Sequence, residues 1–367
     1  MNRNIFVRIG IAVVIIGISI IAFVSTRKTS SKPLNYGISP YQDTILPVVA
    51  DELGWYREAN LNVELRVLPW GEVMPALASH SVDVAIQNFN SFQAAYANTT
   101  GQGADLEFFY PLFVFKGSAI VAFPDSGLKP LSYYLKQDGG DRSKAISDAS
   151  AQLRGKKVYA TKGTEMEQIV RAAMSKAGLR DSDLTLVHAE PDLGLNALLH
   201  DKTVVFSGGV TERMKAQHEG AIVILEAADL TPPVIDGLVT TRKFASEHKE
   251  ELFQLIDLWY RTIAFMQSDL KGNSQVVLRR LSQTASIKYT PEEYAQLWTQ
   301  TEVFPASADE MQKMVLASNS AYYWRRSWQA NNDFLKQQNS SFLPVPETAF
   351  GGENIQQEYL VWKAKHK

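Results

Sequence analysis

From Leu34 onward, apolar and polar positions switch between a period of two and a period near 3.6, as strands and helices do in turn. Leu34 to Ser39 reads as a first strand. Asp43 or Thr44 can cap a helix with Pro47 in its first turn, in which Ile45, Val49, Leu53 and Tyr56 share one stripe up to Glu58. From Asn62 to Pro69, Val63, Leu65 and Val67 alternate with Glu64 and Arg66, so this stretch predicts a second strand. A short helix over Glu72 to Ser79 and a third strand over Val82 to Gln87 complete one α/β unit. Apolar strands near Phe108 to Phe115 and Ala119 to Phe123 lead to a second unit: strand Lys156 to Ala160, then Met166, Ile169, Val170, Ala173, Met174 and Ala177 on one helical face that Gly178 ends. Strands follow over Leu184 to Ala189, Thr203 to Phe206 and Ala221 to Leu225, with Pro191 opening the helix between the first two. Short alternating elements of this kind predict parallel sheets covered by helices.

Asp125 to Leu153 is polar, carries Gly139 and Gly140, and reads as an insertion with one or two short helices. Beyond Pro232 and Pro233 the chain turns helical. Leu252, Ile256, Trp259, Ile263 and Met266 form one stripe, and Glu293 to Gln300 and Met311 to Trp324 also read as helices, all expected to pack on the first lobe. The segment from Leu343, with Pro344, Pro346, Gly351 and Gly352 before a final helix, is expected to lie along the surface. At the other end, Arg3 and Arg8 precede an uncharged run from Ile9 to Thr26, roughly 18 residues and near the minimum for a membrane span. Arg27, Lys28 and Lys32 follow it. Small residues suited to signal cleavage are poorly placed near its end, so an uncleaved signal anchor is favoured over a removed signal peptide.

Composition narrows the function. With 45% apolar and 21% charged residues, the 367-residue chain can bury a sizeable core. A formal charge of −2 offers no broad basic surface, and no nucleic-acid partner is expected. The absence of Cys removes disulfides, thiol catalysis, cysteine-ligated metal and a lipid-bearing cysteine as a tether. His80, His188, His200, His218, His248 and His366 show no metal-ligand spacing, and neither a Gly-x-Ser-x-Gly nucleophile motif nor a phosphate loop occurs. No cofactor is expected.

Four stretches in order carry a family resemblance. They are Leu34-Asn35-Tyr36-Gly37 leading to Glu52-Leu53-Gly54-Trp55-Tyr56-Arg57-Glu58-Ala59-Asn60-Leu61; Pro75 to Ala85 with its Asp83; Leu153-Arg154-Gly155-Lys156-Lys157-Val158 with Lys162-Gly163-Thr164; and Asn196 to Val204. Over Leu34 to Ala317 the chain resembles the nitrate, sulfonate, taurine and thiamine-precursor group of periplasmic binding proteins. Asn60 stands where the group often has Gly, and the last stretch lacks its usual Asp near Thr203. The resemblance implies an α/β, two-lobed periplasmic binding protein fold (type II), here preceded by the membrane-spanning helix. Residues 1–33 would be a signal anchor or signal peptide with linker, 34–122 with 235–342 lobe 1, 123–234 lobe 2, and 343–367 a C-terminal extension. Two hinge crossings are expected near Val121 to Asp125 and Leu230 to Asp236.

The resemblance puts a ligand between the lobes, and open α/β sheets bind at the carboxyl ends of their strands. Candidate contacts are therefore Tyr41, Gln42, Asp43, Trp70, Asn88, Phe89 and Asn90 from lobe 1, and Thr164, Glu165, Asp192, Ser207 and Glu212 from lobe 2. Tyr41, Trp70 and Phe89 could sandwich a flat or apolar body, while Asp43 and Asp192 could equally be helix caps. Anion-binding members use a helix N-terminus with small residues; Gly163-Thr164-Glu165-Met166-Glu167 puts two acids there, which favours a neutral or amine-bearing ligand over sulfonate or nitrate. The expected protein is thus a monomeric, non-enzymatic solute-binding component of an ABC importer, periplasmic and anchored in the inner membrane, meeting a permease and its ATPase. A membrane-held ligand sensor is the alternative. An enzyme of thiamine-pyrimidine or menaquinone type on the same scaffold is less favoured, since the former needs a cysteine-bearing segment.

Overall fold

A computed structural model describes residues 32–99, 105–285 and 288–366. The chain divides into a unit Met1–Pro33 and a unit Leu34–Lys367. The uncharged run from Ile9 to Thr26, and with it the expected anchor, lies outside the described residues. No helix among the described residues is long and apolar enough to cross a membrane.

The second unit holds two sheets. The first contains β1 (Leu34–Ile38), β2 (Val63–Val67), β3 (Val84–Asn88) and β4 (Leu106–Phe115), which the chain leaves for the second sheet. There it forms β5 (Ala119–Ala122), β6 (Lys157–Ala160), β7 (Thr185–His188), β8 (Val205–Gly208) and β9 (Ile222–Glu226). It returns to the first as β10 (Val234–Thr241) and β11 (Glu302–Val303). The strand orders are β11-β4-β10-β3-β1-β2 and β7-β6-β8-β5-β9.

The sheets are mixed, not parallel throughout. β1 runs parallel to β2 and β3, and β6 parallel to β7 and β8. In each sheet, the strand that receives the chain from the other lobe runs antiparallel to its neighbours: β5 between β8 and β9, β10 between β3 and β4. A chain that enters a lobe from the cleft side starts its strand where the parallel strands end, so its direction is reversed. The first crossing occupies residues 116–118, earlier than the expected Val121 to Asp125, because Ala119–Ala122 already pairs inside the second sheet. The second falls at residues 231–233, within the expected stretch.

Local chemistry explains the smaller differences. The expected first helix is two, Pro47–Glu52 and Trp55–Glu58, because Gly54 takes φ 73° between them. Asn60 takes φ 57°, a left-handed position where Asn is tolerated, which explains why Gly also suits it. Helix Glu165–Lys176 buries the expected Met166, Ile169, Val170, Ala173 and Met174, and Gly178 (φ 63°) lies just beyond its end. The polar 125–153 stretch forms two helices, Leu131–Gln137 and Arg142–Ala151, with Ile146 and Ala149 buried in the second lobe's core.

Helix Lys249–Ser268 buries Leu252, Ile256, Trp259, Ile263 and Met266 against the first sheet's core. Met311 to Trp324 is not one helix: it ends in a wide turn, Gln312–Leu316, and a new helix begins at Trp324–Gln338. The segment from Leu343 is likewise not a surface strap. Val345, Ala349, Phe350, Ile355 and Tyr359 are buried in the first core. The Val345 carbonyl accepts hydrogen bonds from Trp328 Nε1 and Asn332 Nδ2, both 3.1 Å, and its amide donates to Asn332 Oδ1 at 2.9 Å. Its apolar side chains are spaced among prolines and glycines, so no period reveals the buried face.

Candidate functional site

The antiparallel return of β10 fixes the site's composition. Its register sets Asp236, the strand's third residue, opposite Asn88 at the end of β3 and Phe113 near the end of β4. Glu302 of β11 pairs with Phe115 at the end of β4. Residues of four consecutive strands, β11, β4, β10 and β3, thus reach the edge where β1 also gives way to Ser39, Tyr41, Gln42 and Asp43. The second lobe faces this edge with two helix N-termini. Glu165 opens helix Glu165–Lys176, and Glu212 sits in the first turn of helix Val210–His218, both places where the helix dipole favours an acid.

Between the lobes lies a chamber of about 30 Å³. Of the sequence candidates, Tyr41, Gln42, Asp43, Trp70, Asn88 and Glu165 line it. Thr44, Phe115, Met166, Gly209, Val210 and Asp236 line it too and were not anticipated. Glu212 is buried against Gly209. Direct hydrogen bonds join the lobes here: Asn88 Nδ2 donates to Glu165 Oε2 at 2.8 Å, and Thr211 Oγ1 to Gln42 Oε1 at 3.1 Å. Tyr41 and Trp70 meet edge to face at 5.7 Å.

The other candidates are placed elsewhere. Phe89 sits in the first core against Phe108, Trp328 and Phe350, with ring centroids 4.5 to 5.4 Å away. Asn90 Nδ2 is engaged by Gln168 and Asn331. Ser207 Oγ donates to the Met166 carbonyl at 2.7 Å. Thr164 caps its helix, its hydroxyl accepting from the Met166 amide at 3.2 Å. It faces a wider groove of about 750 Å³ that shares Trp70 with the chamber. Asp192 lines a third cleft, of about 250 Å³, beside Tyr41 and Trp70.

Five buried acids dominate the electrostatics. Burial pushes Asp43 up to about 7 against the Thr44 amide that favours its charge, and Glu165 adds repulsion. Burial and the Asp43 charge push Glu302 up to about 8, although Thr301 and Gln42 hydrogen-bond it. Burial raises Glu212 to about 7. Asp236 is held well above the carboxylate range by burial, then by Asp43, Glu165 and Glu302. Glu165 is raised by burial, which its Asn88 bond opposes. Asp236 Oδ2, Glu212 Oε2 and Trp70 Nε1 have no hydrogen-bond partner.

An anion at the first of these helix ends would meet competition. Burial would raise Glu167, but the Gly163 amide at 2.8 Å, His188 and Arg171 hold it below its ordinary range. That carboxylate already occupies the amide that an incoming anion would seek.

Residues 141–269 match the family described as NMT1/THI5 like. No curated protein sequence matches the chain. Among solved structures it is similar to the periplasmic aliphatic sulphonate binding protein of Escherichia coli, with 17% identity and TM-score 0.59 over 84% of this chain and 88% of that one. It has the periplasmic binding protein fold. The same fold relates it to the periplasmic nitrate-binding protein of Synechocystis PCC 6803, at 14% identity and TM-score 0.57 over 91% of this chain and 88% of that one. A ligand-binding component of an ABC-type import system from Staphylococcus aureus, solved with zinc bound, gives 12% identity and TM-score 0.63 over 90% and 99%. Among the described residues no group of three or more His, Asp or Glu is arranged to hold a metal ion.

Of the unanticipated residues, Asp236 left a signal, being the one charge in the apolar run Val234–Thr241. Glu302 left none, because only the pairing of a two-residue strand brings it to the cleft.

Proposed function

We propose that this protein is the extracytoplasmic solute-binding component of an ABC importer and that it captures a small neutral or amine-bearing molecule between its lobes without transforming it. The observation that carries the reading is the chamber between two α/β lobes, lined from both sides, with two chain segments joining the lobes among the described residues. A ligand that contacts both lobes stabilises the closed form by contacts the open form cannot make. A permease and its ATPase would then recognise closure. The sulphonate- and nitrate-binding names of structurally similar proteins support the transport role. The acidic lining favours an amine over those anions. The run from Ile9 to Thr26 supports a tether to the inner membrane facing the periplasm, and the protein is taken to act as a monomer.

The test is thermal melting of the full chain against amines, neutral heterocycles, thiamine-type pyrimidines, sulfonates and nitrate, followed by calorimetry. A ligand at a hundred times its Kd stabilises by about 2.7 kcal/mol, which a melt resolves. Saturable stabilisation by an amine or neutral compound recovered unchanged supports the reading, whereas binding of a sulfonate or nitrate alone would keep the transport role and overturn the ligand class. Turnover of a bound compound, or no ligand in the whole panel, refutes it.

A further inference from the structure

The chamber gathers buried carboxyls and supplies almost nothing to meet their charge. Asp43 and Asp236 of the first lobe and Glu165 of the second line it; Glu302 is buried close enough to act on Asp43 and Asp236, and Glu212 is buried behind Gly209 in the second lobe's wall. Its lining holds no Lys or Arg, and the cations whose charge reaches these acids lie outside it. Arg213 donates to the Gly117 carbonyl at 3.1 Å and pairs with Glu226 at 3.5 Å, while Lys116 and Lys215 only modulate Glu302 and Glu212. Asp236, 3% exposed, and Glu212, 2% exposed, each keep one carboxylate oxygen with no donor. An unmet buried acceptor costs free energy, and these raised carboxyls can carry their charge at neutral pH only if something positive meets them, so a ligand that brings both a donor and a positive charge gains most from the site.

We propose that the chamber takes the head of an organic cation that carries N–H bonds, a primary ammonium or guanidinium group, with Asp236 of the first lobe and Glu212 of the second as its acceptors. This inference rests on the solute-binding reading and names its cargo class. A quaternary ammonium would satisfy the charge but not the two acceptors, since it has no N–H to donate. Water would satisfy the acceptors but not the charge. The small volume suits a head group of a few heavy atoms, for which one water's minimum is roughly 10 to 15 Å³. Tyr41, Trp70 and Phe115 supply aromatic surface beside the acids, which is compatible with the alkyl part of such a cation and adds cation–π attraction. Acceptors on opposite lobes also link binding to closure, because each lobe's unmet oxygen is satisfied only when the lobes meet around the ligand.

Calorimetry and thermal melting of the full chain with propylammonium, guanidinium, tetramethylammonium and propanesulfonate test this. Propylammonium or guanidinium is expected to bind saturably, and the other two are not. Asp236→Asn is expected to weaken binding about tenfold or more, as loss of a charged hydrogen bond does. Glu212→Gln gives the same reading from the other lobe, should Asp236→Asn fail to fold. Equal binding of tetramethylammonium, binding of propanesulfonate, binding of none of the four, or unchanged affinity in both variants overturns the inference. The solute-binding reading survives those outcomes if a neutral or anionic compound from the wider panel binds saturably, and it falls with the inference if none does.

Discussion

Glu212→Gln probes the cost of burying an acid beside the chamber through stability as well as through binding. The Glu212 carboxyl is buried and raised from an ordinary 4.5 to about 7; repulsion from Asp192 and Glu165 adds to the effect of burial, and Lys215 opposes it. At about 1.4 kcal/mol per pKa unit, keeping it ionised in the folded chain costs roughly 3 kcal/mol relative to the unfolded chain. The folded state therefore binds this proton more tightly than the unfolded state. Its stabilising contribution is complete below the unfolded value, near 4.5, and is lost as pH rises through about 7. A neutral glutamine carries no such dependence. The ligand-free variant should match the wild type at pH 4.5 and exceed it by up to roughly 3 kcal/mol at pH 8, or about 5 °C in Tm for a chain of this size. Asp43 and Glu302 also titrate near neutrality, so both proteins keep some slope and the difference between the two curves isolates Glu212. Differential scanning calorimetry from pH 4.5 to 8 provides the curves. Parallel curves, or a variant less stable than wild type at pH 8, would refute the argument that this carboxyl is buried without a counter-charge.

Gly117 lies in the first crossing, where a Cβ would stand 2.1 Å from Val210 Cγ2 and 2.9 Å from Thr301 Cβ, so Gly117→Ala should oppose closure. Ligand affinity should drop about tenfold with little change in ligand-free Tm, and small-angle scattering should show a larger radius of gyration; an unchanged affinity would count against the closure model. Gly237→Ala pushes a Cβ to 2.2 Å from the Tyr110 carbonyl in the middle of the first sheet, and unlike a side chain that backbone cannot turn away. A loss of about 3 kcal/mol or more in urea unfolding is expected, and a loss under about 1 kcal/mol would contradict the packing. Ending the chain after Phe342 removes the buried Val345, Phe350, Ile355 and Tyr359 from the first core. At about 2 kcal/mol each this approaches a typical domain's whole stability, so circular dichroism should show loss of cooperative folding, whereas a well-folded truncated chain would restore the surface-strap expectation.

Much of the architecture is legible in the chain because burial imposes a period. The alternation over Val63–Val67 and the stripe from Met166 to Met174 follow from one face meeting water and the other a core. The two α/β units, their order, the helices of residues 249–268 and 291–300, and half of the chamber's lining follow from local pattern and from the rule that ligands sit at strand ends. Where a segment shows no period, packing sets its place. The buried segment after Leu343 carries too many prolines and glycines to show a repeat. The candidates that proved to lie elsewhere, such as Phe89, are as apolar or polar as those that line the chamber, and one helical turn separates a cleft position from a core position. Above all, the strand-end rule assumes parallel strands. β10 runs the other way, so the start of that strand, with Asp236, arrives at the edge where its neighbours finish, and β11 brings Glu302 beside it. Local pattern is enough to say which segments can be buried; the direction and pairing of two returning strands bring acids from distant parts of the chain to one edge, where charge repulsion acts through space between residues as far apart in sequence as Asp43 and Glu302.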